Sequence, residues 1–324
     1  MAKIMESQIE TALEKGFSFL SSRQLPSGEF PTKQWIGDNA CKRALKFPIK
    51  SVFVTSFVLH SLKYVSRFIN VEQTAQKAIE FLLCEMEDDG LWRFYGKKSN
   101  IPYDIDCVCC VLAALKEWAI EMDYETMASR LLRYRTAQNV FNTWILDGDS
   151  RFLEIEYNDV DWVVNANVLF FYSLLSQRLP EVEQYIITSI ETDTFKQRSI
   201  YYPPMSGIYC LTRAYSDGQN QGLKPAISKI KENLNTKAED RSQDSLSTAL
   251  ATIALQNCYE GKAPIAQLIE YLISMQRIDG RWSTGVFFSS IVRKRPEIIF
   301  KWGSEELTTA FALEAISKYL DKSR

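Results

Sequence analysis

The sequence predicts an all-α protein with the (α/α)6 barrel fold, in which an inner ring of six helices is surrounded by an outer ring of six. Two observations predict it: two kinds of helical segment alternate along the chain, and one short motif recurs after the outer segments. The chain has 324 residues, 46% hydrophobic and 24% charged, which suffices for a large buried core. No Gly/Ser-rich linker divides it, so we expect a single domain over residues 1–324.

One kind of segment is apolar on nearly every side. Such a helix must be covered all round, and it is therefore expected in the inner ring. The predicted inner segments are 51–65, 104–119, 161–175, 204–215, 244–258 and 304–320. Several of them open on side chains whose oxygens can cap free N–H groups of the first turn, namely Asp104, Asp159, Asp244 and Ser304.

The other kind of segment is amphipathic, with charged residues opposite an apolar stripe. An amphipathic helix can cover an apolar one from a single side, so these segments are expected to form the outer ring. The predicted outer segments are 6–21, 71–86, 125–138, 180–192, 223–236 and 264–275.

A motif with the spacing Gln-x-x-x-Gly-x-aromatic follows two outer segments, at 24–30 and 276–282. Looser copies are 86–92 and 138–144, the latter with Asn142 in place of glycine. Glycine or asparagine can adopt the left-handed conformation that ends a helix, and the aromatic ring can then pack against the barrel wall. In these repeats the chain resembles the prenyltransferase and squalene-oxidase superfamily, whose QW motifs have this form.

Asp104-Ile-Asp106-Cys107 opens the second inner segment. It resembles the Asp-x-Asp-Asp motif of class II terpene cyclases, in which the middle aspartate donates a proton; that position corresponds to Asp106. Burial and a nearby carboxylate can keep such an acid neutral. Residues two apart do not share a helix face, so Asp104 can cap the helix while Asp106 points elsewhere. Because Cys107 replaces the family's last aspartate, we expect a different hydrogen-bond network around the acid.

A second pair, Asp159 and Asp161, opens the third inner segment, where capping is the favoured interpretation. Capping alone also remains an alternative for Asp104 and Asp106. If the cyclase interpretation holds, aromatic and polar residues near the inner segments are candidates for substrate binding, since ring faces stabilise carbocations by about 0.5–2 kcal/mol each. These candidates are Trp162, Tyr157, Asn165, Phe57, Trp302 and Tyr209.

Charge and composition exclude several classes of protein. A net charge of −2 gives no electrostatic basis for nucleic-acid binding. No signal peptide or membrane span is visible, so we expect a cytoplasmic protein, although basic clusters such as Lys42-Arg43 leave open a peripheral contact with a membrane. The seven cysteines are expected to be reduced and buried. The sequence leaves the oligomeric state open.

Metal and cofactor signatures are also missing from the sequence. The zinc site of protein prenyltransferases needs a histidine downstream of its aspartate and cysteine, whereas the single histidine here, His60, lies upstream of Asp106 and is expected in the core. No Gly-rich phosphate loop or magnesium-binding Asp-Asp-x-x-Asp motif occurs. We therefore expect chemistry without a metal or cofactor.

These observations favour proton-initiated cyclisation of a hydrophobic isoprenoid substrate, with Asp106 as the acid. A single barrel resembles the single-domain bacterial meroterpenoid cyclases, which implies a prenylated aromatic acid as substrate. Two alternatives remain. One is another (α/α)6 enzyme, such as a glycoside hydrolase with Asp106 and Asp161 as its acid–base pair. The other is a non-catalytic toroid that binds a lipid or a protein.

Overall fold

A computed structural model describes residues 2–37, 49–97, 99–146, 158–192, 199–239, 244–259, 263–292 and 295–322. These residues contain twelve α-helices. Six follow the predicted inner segments: α2 Val52–Val65, α4 Ile105–Glu117, α6 Trp162–Leu174, α8 Pro204–Ser216, α10 Ser245–Cys258 and α12 Glu305–Asp321. The other six follow the outer segments: α1 Ala2–Arg23, α3 Glu72–Cys84, α5 Tyr124–Leu131, α7 Pro180–Glu191, α9 Lys224–Glu239 and α11 Ala263–Ser274.

The inner helices form a closed ring. Each packs against the next, from α2 through α4, α6, α8 and α10 to α12, and α12 packs back against α2. In α6 every residue from Trp162 to Tyr172 is buried, as expected for a helix covered on all sides. The predicted (α/α)6 barrel is confirmed. Among the described residues no helix is long and apolar enough to cross a bilayer.

Side-chain caps begin five of the six inner helices, all except α8. Asp104, Asp244 and Ser304 each accept a hydrogen bond from the backbone N–H three residues later, as predicted. The prediction for Asp159 was wrong, because α6 starts later and Asp161 caps it. The Asp159 carboxylate instead accepts a hydrogen bond of 3.0 Å from the Tyr201 hydroxyl.

The recurrent motif joins neighbouring outer helices. Gln24 Nε2 donates to the carbonyl of Gly28 at 2.8 Å and to that of Thr74, on α3, at 2.9 Å. Gln276 Nε2 makes the matching bonds to Gly280, at 2.8 Å, and to Ala12 on α1, at 2.9 Å. Gly28 and Gly280 have φ of +103° and +90°, the left-handed conformation that favours glycine.

The fourth copy of the motif begins three residues earlier than predicted. The left-handed residue is Asn139, with φ of +60°, and its N–H donates to Thr136 O at 3.0 Å. The buried aromatic residue of this copy is therefore Phe141 and not Trp144. Asparagine tolerates this conformation, and choosing Asn142 over Asn139 from sequence placed the copy in the wrong register.

Short strands connect the helices at the end of the barrel where the inner helices begin. The antiparallel order is β1 (Lys33–Ile36), β5 (Arg295–Gly303) and β4 (Phe288–Val292), and a second pair joins β2 (Tyr103–Asp104) to β3 (Trp144–Ile145). The helical periodicity of the sequence does not predict these strands. They bring Phe288 opposite Trp302 and place both rings above the inner helices.

The cysteines are free thiols wherever the structure describes them. Cys107, Cys109, Cys110, Cys210 and Cys258 are buried as predicted. Cys84, at the end of α3, is exposed, so the prediction was wrong for that residue. Cys41 lies outside the described residues, as does the predicted basic cluster at Lys42-Arg43.

Candidate active site

A cavity of about 220 Å³ lies at the N-terminal ends of the inner helices, beneath β4 and β5. Its wall is mostly aromatic, and two carboxyl groups from the start of α4 reach it. The lining residues are Phe53, Phe94, Tyr95, Ile101, Asp104, Asp106, Thr143, Trp144, Val164, Tyr201, Tyr202, Phe288, Ser289, Ser290 and Trp302.

Asp106 is held by side chains from two other segments. Asn167 Nδ2, on α6, donates to Asp106 Oδ1 at 2.7 Å, and the Tyr202 hydroxyl donates to Oδ2. Burial raises the pKa of Asp106, while the hydrogen bonds from Tyr202 and Asn167 lower it, and the result is a pKa of about 6. The protonated form of this buried acid therefore persists to higher pH than that of a free aspartic acid and is half populated near pH 6.

The two carboxyl oxygens of Asp104 differ, because one makes a structural hydrogen bond and the other makes none within the described part of the chain. Its Oδ1 caps α4 by accepting from the backbone N–H of Cys107 at 2.6 Å. Its Oδ2 is buried and accepts no hydrogen bond from any described residue. Burial and the adjacent charge of Asp106 raise the pKa of Asp104 to about 8. At neutral pH this carboxyl group is mostly neutral.

The two carboxyl groups are suited to different roles. A proton donor is stronger when its conjugate base is stabilised. Once Asp106 loses a proton, its carboxylate is stabilised by Tyr202 and Asn167. Asp104, with the higher pKa and a single backbone donor, is the weaker acid. The geometry therefore favours Asp106 as a donor and Asp104 as a neutral neighbour.

A buried arginine fixes the orientation of the amide that contacts Asp106. Arg213 Nη2 donates to Asn167 Oδ1 at 2.7 Å, and its guanidinium lies 4.6 and 4.4 Å from the ring centroids of Phe57 and Phe170. Because arginine can only donate, the oxygen of Asn167 must face Arg213 and its NH2 group must face Asp106. The positive charge of Arg213 also lowers the pKa of Asp106.

Neither Arg213 nor Tyr202 is predicted from the sequence as a partner of Asp106. A signal for Arg213 was present, since an arginine inside an apolar inner segment needs a buried partner. Tyr202 carried no comparable signal, because it precedes α8 and meets Asp106 only after the ring has formed.

Aromatic rings above the acid form a continuous wall. Phe288 and Trp302 are stacked, with ring centroids 5.1 Å apart and an interplanar angle of 10°. Phe53 packs edge-on against Phe288 at 5.5 Å, and its ring lies 6.5 Å from that of Tyr202. Such faces attract positive charge without acting as bases.

Among the other residues that the sequence suggested for substrate binding, Trp302 lines the cavity. Phe57 and Tyr209 lie deeper in the barrel, where their rings pack against Arg213. Asn165 bonds the backbone N–H and carbonyl of Phe141, at 2.9 and 3.0 Å, and so holds the fourth copy of the recurrent motif. None of these three lines the cavity.

Trp162 packs against Gly207 on α8 and is also absent from the cavity wall. Tyr157 lies outside the described residues. Asp161, the partner of Asp106 in the glycosidase alternative, is engaged through both oxygens. Oδ1 accepts from the N–H groups that it caps, and Oδ2 accepts from Ser199 Oγ at 2.8 Å and Ile200 N at 2.7 Å.

Burial of Asp104 should make stability depend on pH. Its pKa rises from 3.8 to about 8 on folding, so the folded chain binds more protons than the unfolded chain between these values, and stability falls as the pH rises through them. Asparagine caps a helix as well as aspartate but does not ionise. We expect Asp104→Asn to raise the melting temperature by several degrees at pH 8 and to leave it unchanged at pH 4. Equal shifts at both pH values in thermal unfolding would contradict this account.

The family profile of the A-macroglobulin TED domain matches residues 2–98. No curated protein sequence matches the chain. The chain is similar in structure to a variant of the type II terpene cyclase MstE from Scytonema in complex with its substrate, geranylgeranyl dihydroxybenzoate. That likeness has a TM-score of 0.75 and 13% identity over 99% of each chain.

Two further solved structures share the architecture. A protein from Actinoplanes has a TM-score of 0.75 and 18% identity, over 96% of this chain and 99% of the other. A possible member of the GH105 family from Salmonella enterica has a TM-score of 0.62 and 11% identity, over 98% of this chain and 94% of the other. At these identities the likenesses show a common fold.

Proposed function

We propose that the protein is a class II terpene cyclase that folds a linear isoprenoid within its cavity and protonates it with Asp106. One observation carries the proposal. A buried carboxyl group with a pKa raised to about 6 reaches an aromatic-lined cavity and has donors in place for its conjugate base. This arrangement provides a proton and a surface that tolerates a carbocation.

The proposed reaction begins when protonated Asp106 transfers its proton to a terminal alkene or epoxide. The new C–H or O–H bond leaves a cation on the substrate, and the negative charge that appears on Asp106 is stabilised by Tyr202 and Asn167. Internal alkenes then attack the cation in turn, with the rings of Phe288 and Trp302 beside the cavity. Loss of a proton ends the cascade and gives an isomer of the substrate, whereas capture of water gives a hydrate.

A prenylated aromatic acid is the substrate class that we propose. The Scytonema cyclase of the same fold was solved with a geranylgeranyl dihydroxybenzoate, and both chains are covered almost completely in that comparison. The cavity offers aromatic rings for a prenyl chain, with polar groups such as Ser289 and Ser290 on the same wall. The sequence lacks the magnesium-binding motif that ionisation of a diphosphate requires.

A substrate panel tests the proposal. Purified protein would be incubated with prenylated benzoates, polyprenyl alcohols, polyprenyl diphosphates and squalene, without added magnesium, and the products separated and weighed by mass spectrometry. We expect a prenylated benzoate to give a product of equal mass and different retention time. Conversion of only a diphosphate, with release of pyrophosphate, would contradict the proposed chemistry.

The dependence of the rate on pH tests the role of Tyr202. Only protonated Asp106 can start the reaction, so kcat/KM should fall as the pH rises through about 6. Tyr202→Phe keeps the ring and removes a hydrogen bond that lowers the pKa of Asp106. The midpoint of the fall should therefore move to higher pH in the variant, and the maximal rate should decrease because the acid is weaker. A midpoint that stays in place or moves to lower pH would contradict the assignment.

The likeness to a possible GH105 member makes a carbohydrate-active enzyme the second candidate. That candidate needs two carboxyl groups facing one open cleft. Asp161 caps α6 and does not line the cavity, whose wall is largely aromatic. Release of reducing sugar from unsaturated or polymeric glycans, lost in Asp106→Asn, would favour this candidate over the cyclase.

A further inference from the structure

A second buried cluster of charged groups lies at the opposite end of the inner ring from the cavity, where the inner helices end. Glu117 is the last residue of α4, Asp217 is the C-cap of α8, and Glu314 lies in the second half of α12. Helix C-termini carry partial negative charge, and these three carboxylates outnumber the two lysines that pair with them, Lys63 and Lys318. His60, in the second half of α2, faces the same space.

Three potential ligand atoms converge in this cluster. His60 Nε2 lies 3.9 Å from Asp217 Oδ2 and 3.9 Å from Glu314 Oε1, and all three atoms fall within 4.8 Å of one another. The side chains of His60 and Glu314 are only 1% and 0% exposed. His60 Nε2 and Glu314 Oε1 are nevertheless without a hydrogen-bond partner among the described residues. Unpaired buried polar atoms are costly, and a shared ion would satisfy both at once.

The surrounding contacts orient these atoms toward one another. His60 Nδ1 lies 2.5 Å from Glu117 Oε2. When Nδ1–H of the neutral ring donates a hydrogen bond to that carboxylate, the available lone pair is on Nε2. Glu314 Oε2 accepts from Ser61 Oγ at 2.8 Å and from the Tyr209 hydroxyl at 3.3 Å, whereas Oε1 accepts no hydrogen bond from the described residues. Metal sites usually have such supporting contacts: the histidine nitrogen that does not bind the ion donates to a carboxylate, and the ligating carboxylate is itself hydrogen-bonded.

We propose that His60, Asp217 and Glu314 bind a divalent transition-metal ion, with Zn²⁺ as the best fit. One imidazole nitrogen and two carboxylate oxygens suit zinc, which binds such atoms at about 2.0–2.2 Å and can take water as a fourth ligand. The two N···O separations of 3.9 Å exceed the roughly 3.3 Å that a tetrahedral zinc site requires, so ion binding would draw both carboxylates closer to His60. Two carboxylates balance the charge of the ion.

Lys318 is the natural competitor for this ion. Its ammonium lies 2.9 Å from Asp217 Oδ2, 3.6 Å from Glu314 Oε1 and 2.8 Å from Asn257 Oδ1. It therefore neutralises the two carboxylates in part without satisfying His60 Nε2. On ion binding Lys318 can keep its contacts with Asn257 and with Asp217 Oδ1, the latter at 3.0 Å. Removing this charge should strengthen metal binding.

The site lies beside the surface at one of its ligands. Asp217 lines a surface groove of about 660 Å³ formed with residues 173, 174, 176–178 and 218–222. The ligands come from α2, the end of α8 and α12, and α2 packs against α12 where the ring closes. A bound ion would hold the first and last inner helices together. It would stabilise the barrel without touching the acid cavity.

Zinc binding to the metal-stripped full chain tests the proposal. After addition of ZnCl2 and gel filtration, we expect wild type to retain one zinc per chain by atomic spectrometry and to melt at least 5 °C higher than the stripped protein. His60→Gln and Glu314→Gln should lose both effects. Lys318→Met should bind zinc more than tenfold more tightly than wild type. Cys84→Ser, which removes the exposed thiol, is the matched control and should behave as wild type.

The outcomes are separable from those of the cyclase experiments, because the readouts are zinc content and melting temperature. If His60→Gln does not fold, Lys318→Met and wild type still decide the matter. Failure of wild type to retain zinc would overturn the proposal, as would equal retention by Glu314→Gln, or loss of zinc in Cys84→Ser.

Discussion

Replacing Asp106 with asparagine is expected to reduce the rate of cyclisation by about 10³-fold or more while the protein stays folded. Asparagine has nearly the same shape, and its amide can still meet Asn167 and Tyr202, but it has no proton strong enough to give to an alkene. Removal of the buried acid also removes a group whose pKa is raised by burial, so the variant should not lose stability at neutral pH.

The matched control for this variant is Asp244→Asn. Asp244 also opens an inner helix and accepts from the backbone N–H of Ser247, but it does not line the cavity. We expect the control to retain activity within about twofold of wild type, since asparagine is an equally good cap. Turnover by Asp106→Asn above one tenth of the wild-type rate would show that another group supplies the proton.

Truncation of Trp282 to alanine is expected to lower the free energy of unfolding by about 3–5 kcal/mol, the usual cost of deleting a large buried aromatic side chain. Trp282 is fully buried, and its Nε1 donates to the carbonyl of Leu272, on α11, at 2.7 Å. Its backbone N–H donates to Thr309 Oγ1, on α12, at 3.1 Å. Trp282 therefore links an outer helix, through its ring, to an inner helix, through its backbone.

Urea unfolding measures this loss. Ile278, four residues before Trp282 in the same motif, is fully exposed, and Ile278→Ala should change stability by less than about 0.5 kcal/mol. If Trp282→Ala cost no more than this control, the motif would contribute little to the packing of the two rings.

The fold could be predicted from sequence because its signals are local. An inner helix such as α6 is apolar on all sides, and an outer helix has one apolar stripe, so each segment reveals its ring without its neighbours. Capping by Asp104 is equally local, since donor and acceptor are three residues apart. The error at Asn139 came from two asparagines in one loop, either of which can take the left-handed conformation.

The candidate site could be predicted only in part, because its contacts join distant segments. Asp106 was selected through a motif, but its partners lie 61 and 96 residues away, on α6 and before α8. The depth at which a side chain lies in the barrel could not be predicted from the sequence either. Phe53 lines the cavity, while Phe57, one turn further along the same helix, packs against Arg213 below it.

The cluster at the far end of the barrel shows the same limit. His60, Asp217 and Glu314 have no characteristic spacing, so no metal-binding pattern is visible in the sequence. Closure of the ring brings α2 next to α12 and gathers groups from the ends of several helices. The resulting barrel has a proton donor at the end where its inner helices begin and an anionic cluster at the end where they finish.

Incorporation of solvent deuterium tests the central claim most directly. The prenylated benzoate would be incubated with wild type and with Asp106→Asn in D2O, and the position and number of deuterium atoms in the product determined by mass spectrometry and NMR. Our account predicts one non-exchangeable deuterium, bound to the alkene carbon that is protonated first, in wild type alone. A cyclic product without solvent deuterium, or one formed equally by Asp106→Asn, would contradict it.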